Sequence, residues 1–280
     1  MTSEPTYAAV PPAPDPPPQP RWPLWLPLAA LATGLAFGLI LVGVLSGVLS
    51  AAGVDTGKGK APGFTAATTL IVDVCVVAAS VLLAATVAAP RPWQFGLRGG
   101  SVRFTAKIAG IGVLTYFLFS VVYQSIVQQK NPQKVVQDLG ADTNTLLLVS
   151  GALVVILVAP VCEELFFRGF LFRVLRLRMP LWGAALIDGV LFGLVHGSLV
   201  IVPILACLGI VLCWVYERTG TLFATIALHS LNNTISYGAS TNNGWAPALA
   251  VGVVVIGLCI AGIARAPRSG PALEAAGGSA

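Results

Sequence analysis

Long apolar runs, separated by short polar connections, repeat along almost the whole chain. Runs such as Leu70–Ala89 do not alternate between polar and apolar residues, so they lack the pattern of a membrane β-barrel. A helix needs about 20 apolar residues to cross the hydrocarbon core, where unpaired backbone groups find no partner. The runs that approach or exceed this length are 24–52, 65–89, 105–127, 145–172, 181–197, 199–217, 221–238 and 246–264. The pattern therefore predicts an all-α fold, a polytopic membrane helix bundle with about eight transmembrane helices.

Composition supports this prediction and narrows the range of partners. The 280 residues are 56% hydrophobic and only 10% charged, whereas soluble domains carry about 25% charged residues. The net charge of +5 could suggest a nucleic acid, but the basic residues are scattered between apolar runs. The sequence therefore predicts the lipid bilayer as a partner, and no nucleic acid.

The basic residues lie mainly in alternate connections, which predicts the topology. They follow the second, fourth and eighth apolar runs: Arg91, Arg98, Arg103 and Lys107; Arg173, Arg176 and Arg178; Arg265 and Arg268. The positive-inside rule then places both termini on the cytoplasmic side of the plasma membrane. Lys58 and Lys60, in the first outer loop, are notable exceptions.

The run 145–172 contains Pro160, which has no backbone N–H to donate. The helix is expected to kink or break there. The backbone groups that this frees would need a partner from a neighbouring helix or a cavity.

Ionisable residues within a span are costly, so they are candidates for function. The predicted spans contain Asp73, Glu163, Glu164, Arg168, Asp188, His196 and His229. We expect a structural hydrogen bond at Asp73. Asp188 is expected either to line a cavity or to meet a hydroxyl group on a neighbouring helix.

Three short patterns account for most of these residues. Glu164 and Arg168 stand one helical turn apart and can pair, which leaves Glu163 free to point elsewhere. The same four-residue spacing places Phe192 beside His196, and His229 beside Asn233.

Together these side chains could hydrolyse a peptide bond. A carboxylate, two imidazoles and an amide can supply a base, a polarising group and an oxyanion donor. Arg168 could keep Glu164 charged as an orienting group while Glu163 acts as the base. The alternative is a structural ion-pair clamp between the fourth and fifth spans.

In this order, the three patterns resemble the CPBP family, also called Abi, which contains the type II CAAX prenyl proteases and bacterial immunity proteins. The family motifs E-E-x-x-x-R, F-x-x-x-H and H-x-x-x-N/D correspond to Glu163–Arg168, Phe192–His196 and His229–Asn233. The resemblance implies an intramembrane endopeptidase that acts on a membrane-associated protein or peptide. It implies that Glu163 activates water, His196 positions the water, and His229 and Asn233 stabilise the oxyanion.

The chain divides into five parts. The proline content of 1–23 predicts a disordered cytoplasmic tail, and the apolar runs predict N-terminal transmembrane helices over 24–127 and a last transmembrane helix over 246–264. The resemblance implies a catalytic helical core over 145–238. A disordered tail is expected over 265–280.

Three alternatives stay open. Glu163, His196 and His229 could instead bind Zn²⁺, although the spacing favours a mechanism without a cofactor: the two histidines lie on separate helices, unlike those of H-E-x-x-H peptidases. The same fold could serve as a non-catalytic membrane scaffold or bacteriocin-immunity protein. A proton-carrying transporter is the third alternative, but the sequence shows no internal repeat that would favour it.

Overall fold

The computed structural model describes residues 21–57, 63–127, 145–241 and 244–267. Its helices, which we number in chain order, are α1 (Trp25–Ala51), α2 (Phe64–Ala85), α3 (Val102–Val127), α4 (Thr145–Arg176), α5 (Leu181–Leu194), α6 (Val202–Thr219), α7 (Leu222–Ser240) and α8 (Trp245–Arg265). A short 3-10 turn, Pro92–Phe95, lies between α2 and α3. The described part of the chain contains no strand, and the predicted all-α bundle is confirmed.

Six of these helices in the described ranges, α1 to α4, α6 and α8, are long and apolar enough to cross a membrane. At 14 residues, α5 is shorter than a full span, whereas the sequence predicted a helix to residue 197. It ends at Leu194 and is followed by a turn in which Gly197 has a φ of 71°. Polar residues interrupt the apolar surface of α7, which carries His229 and Asn233.

Neighbouring helices pair as hairpins that come close at small residues. α1 packs on α2, α5 on α6, and α7 on α8. A Cβ atom on Gly34 would lie 2.5 Å from the Cα atom of Val76, and one on Gly189 would lie 2.6 Å from the carbonyl oxygen of Ala206. Such contacts are typical of membrane helix interfaces, where glycine allows two backbones to approach. α2 and α7 also pack on α4, so α4 links the first hairpin to the last.

The basic connections meet at one end of the bundle. The side chain of Arg178 donates a 2.8 Å hydrogen bond to the carbonyl oxygen of Trp22, and the Gly99 amide donates a 3.0 Å bond to that of Pro267. The beginning of α1, the α2–α3 connection, and the ends of α4 and α8 therefore lie together, as the alternation of basic loops predicted. The cytoplasmic assignment of this end stays a prediction. Nearly all of the Pro-rich tail, most of the C-terminal tail, and Lys58 and Lys60 lie outside the described residues.

α4 continues past Pro160 instead of breaking. A π-helical turn, Val154–Val158, precedes the proline, and a second, Phe167–Phe172, follows the glutamate pair. In this wider turn the amide of Ala159 donates to the carbonyl oxygen of Val154, five residues earlier. The next carbonyl in this register, that of Val155, would face the amide of residue 160, which proline lacks. The chain therefore frees one acceptor at this point, as the sequence predicted.

Candidate active site

The two adjacent glutamates of α4 have different environments. Glu164 is fully buried, and its Oε1 atom accepts a 2.7 Å hydrogen bond from Nη1 of Arg168, one turn away. Glu163 retains 19% side-chain exposure, and its buried Oε2 atom has no hydrogen-bond partner among the described residues. The pairing predicted from the four-residue spacing is therefore present, and it leaves Glu163 available.

Arg168 anchors Glu164 to the α5–α6 hairpin. Its Nη2 donates a 3.1 Å hydrogen bond to the carbonyl oxygen of Gly209, and its guanidinium carbon lies 4.6 Å from the ring centroid of Phe192. A Cβ atom on Gly209 would lie only 2.6 Å from the Cα atom of Gly189, so the small residue lets the two helices meet beside the guanidinium. Arg168 is fully buried, and these contacts fix its planar group.

Asp188 belongs to the same charged cluster, which corrects both expectations for this residue. It is fully buried, so it does not line an open cavity, and its partners are not hydroxyl groups. Its Oδ1 atom lies 3.5 Å from Nε of Arg168 and accepts a 3.1 Å hydrogen bond from the thiol of Cys213. Two carboxylates thus flank one guanidinium, which lowers the cost of burying the charges.

His229 lies between the two glutamates. Its Nδ1 atom is 3.0 Å from Oε1 of Glu164, and its Nε2 atom is 3.8 Å from Oε2 of Glu163. A carboxylate accepts hydrogen bonds, so Nδ1 is the donor, and in the neutral ring Nε2 keeps its lone pair. Glu164 therefore orients an imidazole whose other nitrogen points toward Glu163.

His196 reaches this region through Phe192. Its Nδ1 atom donates a 2.7 Å hydrogen bond to the carbonyl oxygen of Phe192, so Nε2 is the free acceptor of the neutral ring. The Phe192 ring centroid lies 5.0 Å from that of His196 and 5.5 Å from that of His229. The aromatic residue of the second motif thus contacts both imidazoles, that of His196 in the turn after α5 and that of His229 on α7.

Asn233 supplies the partner that Pro160 leaves missing. Its Nδ2 atom donates a 2.8 Å hydrogen bond to the carbonyl oxygen of Val155, the acceptor freed in the π-helical turn. Its Oδ1 atom accepts a 3.1 Å hydrogen bond from Nδ2 of Asn232. Asn233 therefore joins α7 to α4 one helical turn from His229. The second hydrogen of its Nδ2 group is not used in the bond to Val155. The oxyanion role stays a prediction.

Asp73, on an N-terminal helix, also lies beside the site. It lies on α2, which packs on α4, and it interacts electrostatically with Glu163. The expected structural hydrogen bond is not seen for its buried Oδ2 atom, which has no partner among the described residues. The available signal was its charge within an apolar span, but the approach of α2 to α4 depends on tertiary packing.

The possible zinc ligands are only partly assembled. Glu163 and His229 approach each other, but within the described ranges no three His, Cys, Asp or Glu side chains come close enough together to hold a metal ion. His196, the third possible ligand, keeps its Nε2 atom free, because its Nδ1 atom donates to the carbonyl oxygen of Phe192. The choice between an acid–base centre and a zinc site therefore stays a prediction.

Comparison with known proteins finds similarity in this region. A family model described as type II CAAX prenyl endopeptidase Rce1-like matches residues 145–235. The "Putative membrane peptidase YdiL" of Bacillus subtilis (strain 168) is 28% identical over 131 residues, which are 47% of this chain and 49% of that protein. The match thus spans about half the length of this curated relative. No solved structure gives a significant match. The matched residues include all three motifs, and the resemblance to the CPBP, or CAAX-protease, family is confirmed for this segment.

Proposed function

We propose that the chain is an intramembrane endopeptidase that hydrolyses a peptide bond with a water activated by Glu163. The observation that carries this proposal is the 3.8 Å approach of Nε2 of His229 to the unpartnered Oε2 of Glu163. Glu164 and Arg168 hold the imidazole from the opposite side. A general base and a polarising group thus face the same point within an apolar bundle.

The proposed reaction needs no group beyond these side chains, water and the peptide. The Glu163 carboxylate takes a proton from water while the water oxygen attacks the carbonyl carbon of the substrate. The resulting tetrahedral oxyanion is stabilised by hydrogen-bond donors, and the C–N bond then breaks. Glu163 returns its proton to the leaving amine, which restores the carboxylate and releases an acid and an amine.

His196 and His229 have different roles in this scheme. The free Nε2 of His196 can accept a hydrogen bond from the attacking water, which orients its lone pair. His229 can stabilise the oxyanion if its Nε2 binds a proton, since Glu164 compensates the positive charge on the ring. Asn233 positions α7 through Val155 and can offer its remaining amide hydrogen to the oxyanion.

The substrate class follows from the surroundings of the site. Ionisable groups lie within helices that have the length and apolarity of membrane spans, so the peptide must reach them from the bilayer or from its surface. We therefore propose a membrane-associated protein or peptide as the substrate. The site requires water, so the cavity must open to one aqueous face.

A comparison of membrane peptidomes tests the proposal. The host strain would carry the wild-type chain, Glu163→Gln or Asp55→Asn, each at the same level. Asp55 is an exposed residue outside the site, so its amide variant controls for loss of one acidic group. We expect uncleaved precursors to accumulate with Glu163→Gln alone, because removal of a general base costs about 10²- to 10⁴-fold in rate. Identical peptidomes in all three strains would contradict an enzyme and favour the non-catalytic scaffold or immunity protein.

A further inference from the structure

The turn that carries His196 is held separately at its two ends. It covers residues 195–201, between the end of α5 at Leu194 and the start of α6 at Val202. Within it Gly197 adopts a left-handed conformation, with a φ of 71°. A turn lacks the continuous backbone hydrogen bonds of a helix, so the place of the His196 ring depends on the contacts at each end.

Contacts within the second motif hold the α5 end of the turn. The backbone amide of His196 donates a 3.3 Å hydrogen bond to the carbonyl oxygen of Gly193, and its Nδ1 atom donates to that of Phe192. Both bonds come before Gly197 in the chain. They therefore do not fix the part of the turn that continues to α6.

A tyrosine of α3 holds the α6 end of the turn. The Tyr123 hydroxyl donates a 2.6 Å hydrogen bond to the carbonyl oxygen of Val200, 77 residues later in the chain. The Phe119 ring, one helical turn earlier on α3, stacks on the Tyr123 ring, with the centroids 6.0 Å apart and 15° between the planes. This stacking restricts the tyrosine ring and so directs its hydroxyl to the turn.

The two ends of the turn are coupled through the backbone. A Cβ atom on Gly193 would lie 2.8 Å from the carbonyl oxygen of Val202 and 3.2 Å from its Cα atom. Such close packing leaves no free space, so a shift of one segment displaces the other. Val202 comes two residues after Val200, and Gly193 accepts the His196 amide. A shift at Val200 is therefore transmitted to the residue that holds His196.

We propose that Tyr123 is a positioning residue, which keeps His196 in the orientation that offers its free Nε2 to the attacking water. This inference rests on the proposed function. Tyr123 does not touch the reacting atoms, because it acts through Val200 and the turn. It lies outside residues 145–235, which the family model matches, so α3 contributes to the placement of His196 without entering the site.

Nuclear magnetic resonance of the histidine rings tests the positioning directly. The chain contains two histidines, so ¹⁵N-labelled histidine reports on His196 and His229 alone, and His229→Gln assigns the signals. With the proton of His196 on Nδ1, its two ring nitrogens give well separated signals. We expect Tyr123→Phe in the purified full-length chain to bring these signals closer, because a loosened turn lets the ring exchange tautomers. The His229 signals should stay in place.

A matched control comes from the same helix. The Ser125 hydroxyl donates a 2.8 Å hydrogen bond to the carbonyl oxygen of Val122, within α3. Ser125→Ala therefore removes a hydroxyl near Tyr123 that does not reach the turn, and it should move neither set of histidine signals. If Tyr123→Phe does not fold, Phe119→Leu keeps the tyrosine hydroxyl but removes the stacked ring. It should move the His196 signals alone, by a smaller amount.

The kinetics of the same variants measure the effect on the reaction, with a precursor that accumulates with Glu163→Gln as the substrate. We expect Tyr123→Phe to lower kcat about fivefold, the scale of one neutral hydrogen bond, and to leave KM within about twofold. Unchanged His196 signals, equal movement of the signals of both rings, or an unchanged kcat would overturn the proposal. Absence of any accumulating precursor would contradict the proposed function instead, while the His196 signals, which need no turnover, would still decide whether Tyr123 holds this ring.

Discussion

In the most apolar stretch of α1, and likewise of α2, 17% of the residues are buried, whereas 44% are buried in α6. The helices before residue 128 therefore present much of their surface outward, and α6 packs inside the bundle. The buried ions follow the same division. Glu164, Arg168 and Asp188 lie on α4 and α5, while the N-terminal helices contain one acidic residue, Asp73.

This difference shows how the molecule divides its tasks. In the matched segment each buried ion has a partner on another residue, so the segment carries its own compensation for the cost of buried charge. Asp73 lacks such a partner at Oδ2, and its electrostatic neighbour is Glu163. The N-terminal helices therefore shield the site on one side and add a single group to it.

Arg168, which bonds Glu164 and the Gly209 carbonyl oxygen, is the position at which we expect the largest effect of a substitution. We call these contacts the clamp. Lysine has no planar fork, so Arg168→Lys cannot reach both Glu164 and the Gly209 carbonyl oxygen in the same geometry. We expect roughly a hundredfold loss of peptidase activity and a fall in stability, because lysine keeps the charge but loses buried hydrogen bonds of the guanidinium. Arg218→Lys changes an exposed arginine on α6 and is the control. Full activity of Arg168→Lys at normal expression would show that the clamp is dispensable.

The bond between Asn233 and Val155 tests how α7 is joined to α4. Asn233→Leu keeps the branched shape of the side chain but leaves the Val155 carbonyl oxygen without its donor. We expect the free energy of unfolding in detergent to fall by about 1–3 kcal/mol, and activity to fall roughly thirtyfold as His229 shifts. Asn233→Leu combined with Pro160→Ala restores an amide at residue 160. Recovery of stability without activity would separate the structural role of Asn233 from oxyanion donation.

Asp73 tests whether the N-terminal helices contribute to the chemistry. Asp73→Asn retains the shape of the side chain and removes the carboxylate near Glu163. We expect activity to fall about tenfold, which corresponds to roughly 1.4 kcal/mol, with little change in thermal stability. Ser80→Ala is the matched control, because Ser80 is a buried polar residue on α2 whose hydroxyl donates to the carbonyl oxygen of Val76 on the same helix. A loss of stability without a loss of activity per folded molecule would restore the structural interpretation of Asp73.

The parts of the site that could be predicted are those set by one helix. Four-residue spacing was sufficient for the pairing of Glu164 with Arg168. The effect of Pro160 was also predictable, because a missing amide must free a carbonyl oxygen. The group that donates to this oxygen, which belongs to Val155, is the Asn233 amide, 78 residues later in the chain. The thiol partner of Asp188 and the approach of Asp73 to Glu163 depend on which helices touch, and apolar helices of similar length do not reveal this in their sequence.

Removal of zinc is the change from which we expect the smallest effect. It tests whether the charged groups of α4, α5 and α7 act without a metal. Zinc ligands lie about 2.0–2.2 Å from the ion, so three of them must converge on one point. Glu163 and His229 approach to 3.8 Å, but among the described residues no third His, Cys, Asp or Glu side chain comes close enough to form a ligand set with them. We therefore expect purified protein treated exhaustively with a chelator to keep its activity within about twofold. The control is Glu163→Gln with and without added Zn²⁺, which should be inactive in both cases. Loss of wild-type activity that stoichiometric Zn²⁺ restores would contradict the glutamate mechanism and make Glu163, His196 and His229 the ligands to examine, because the three side chains would then have to move together around the ion.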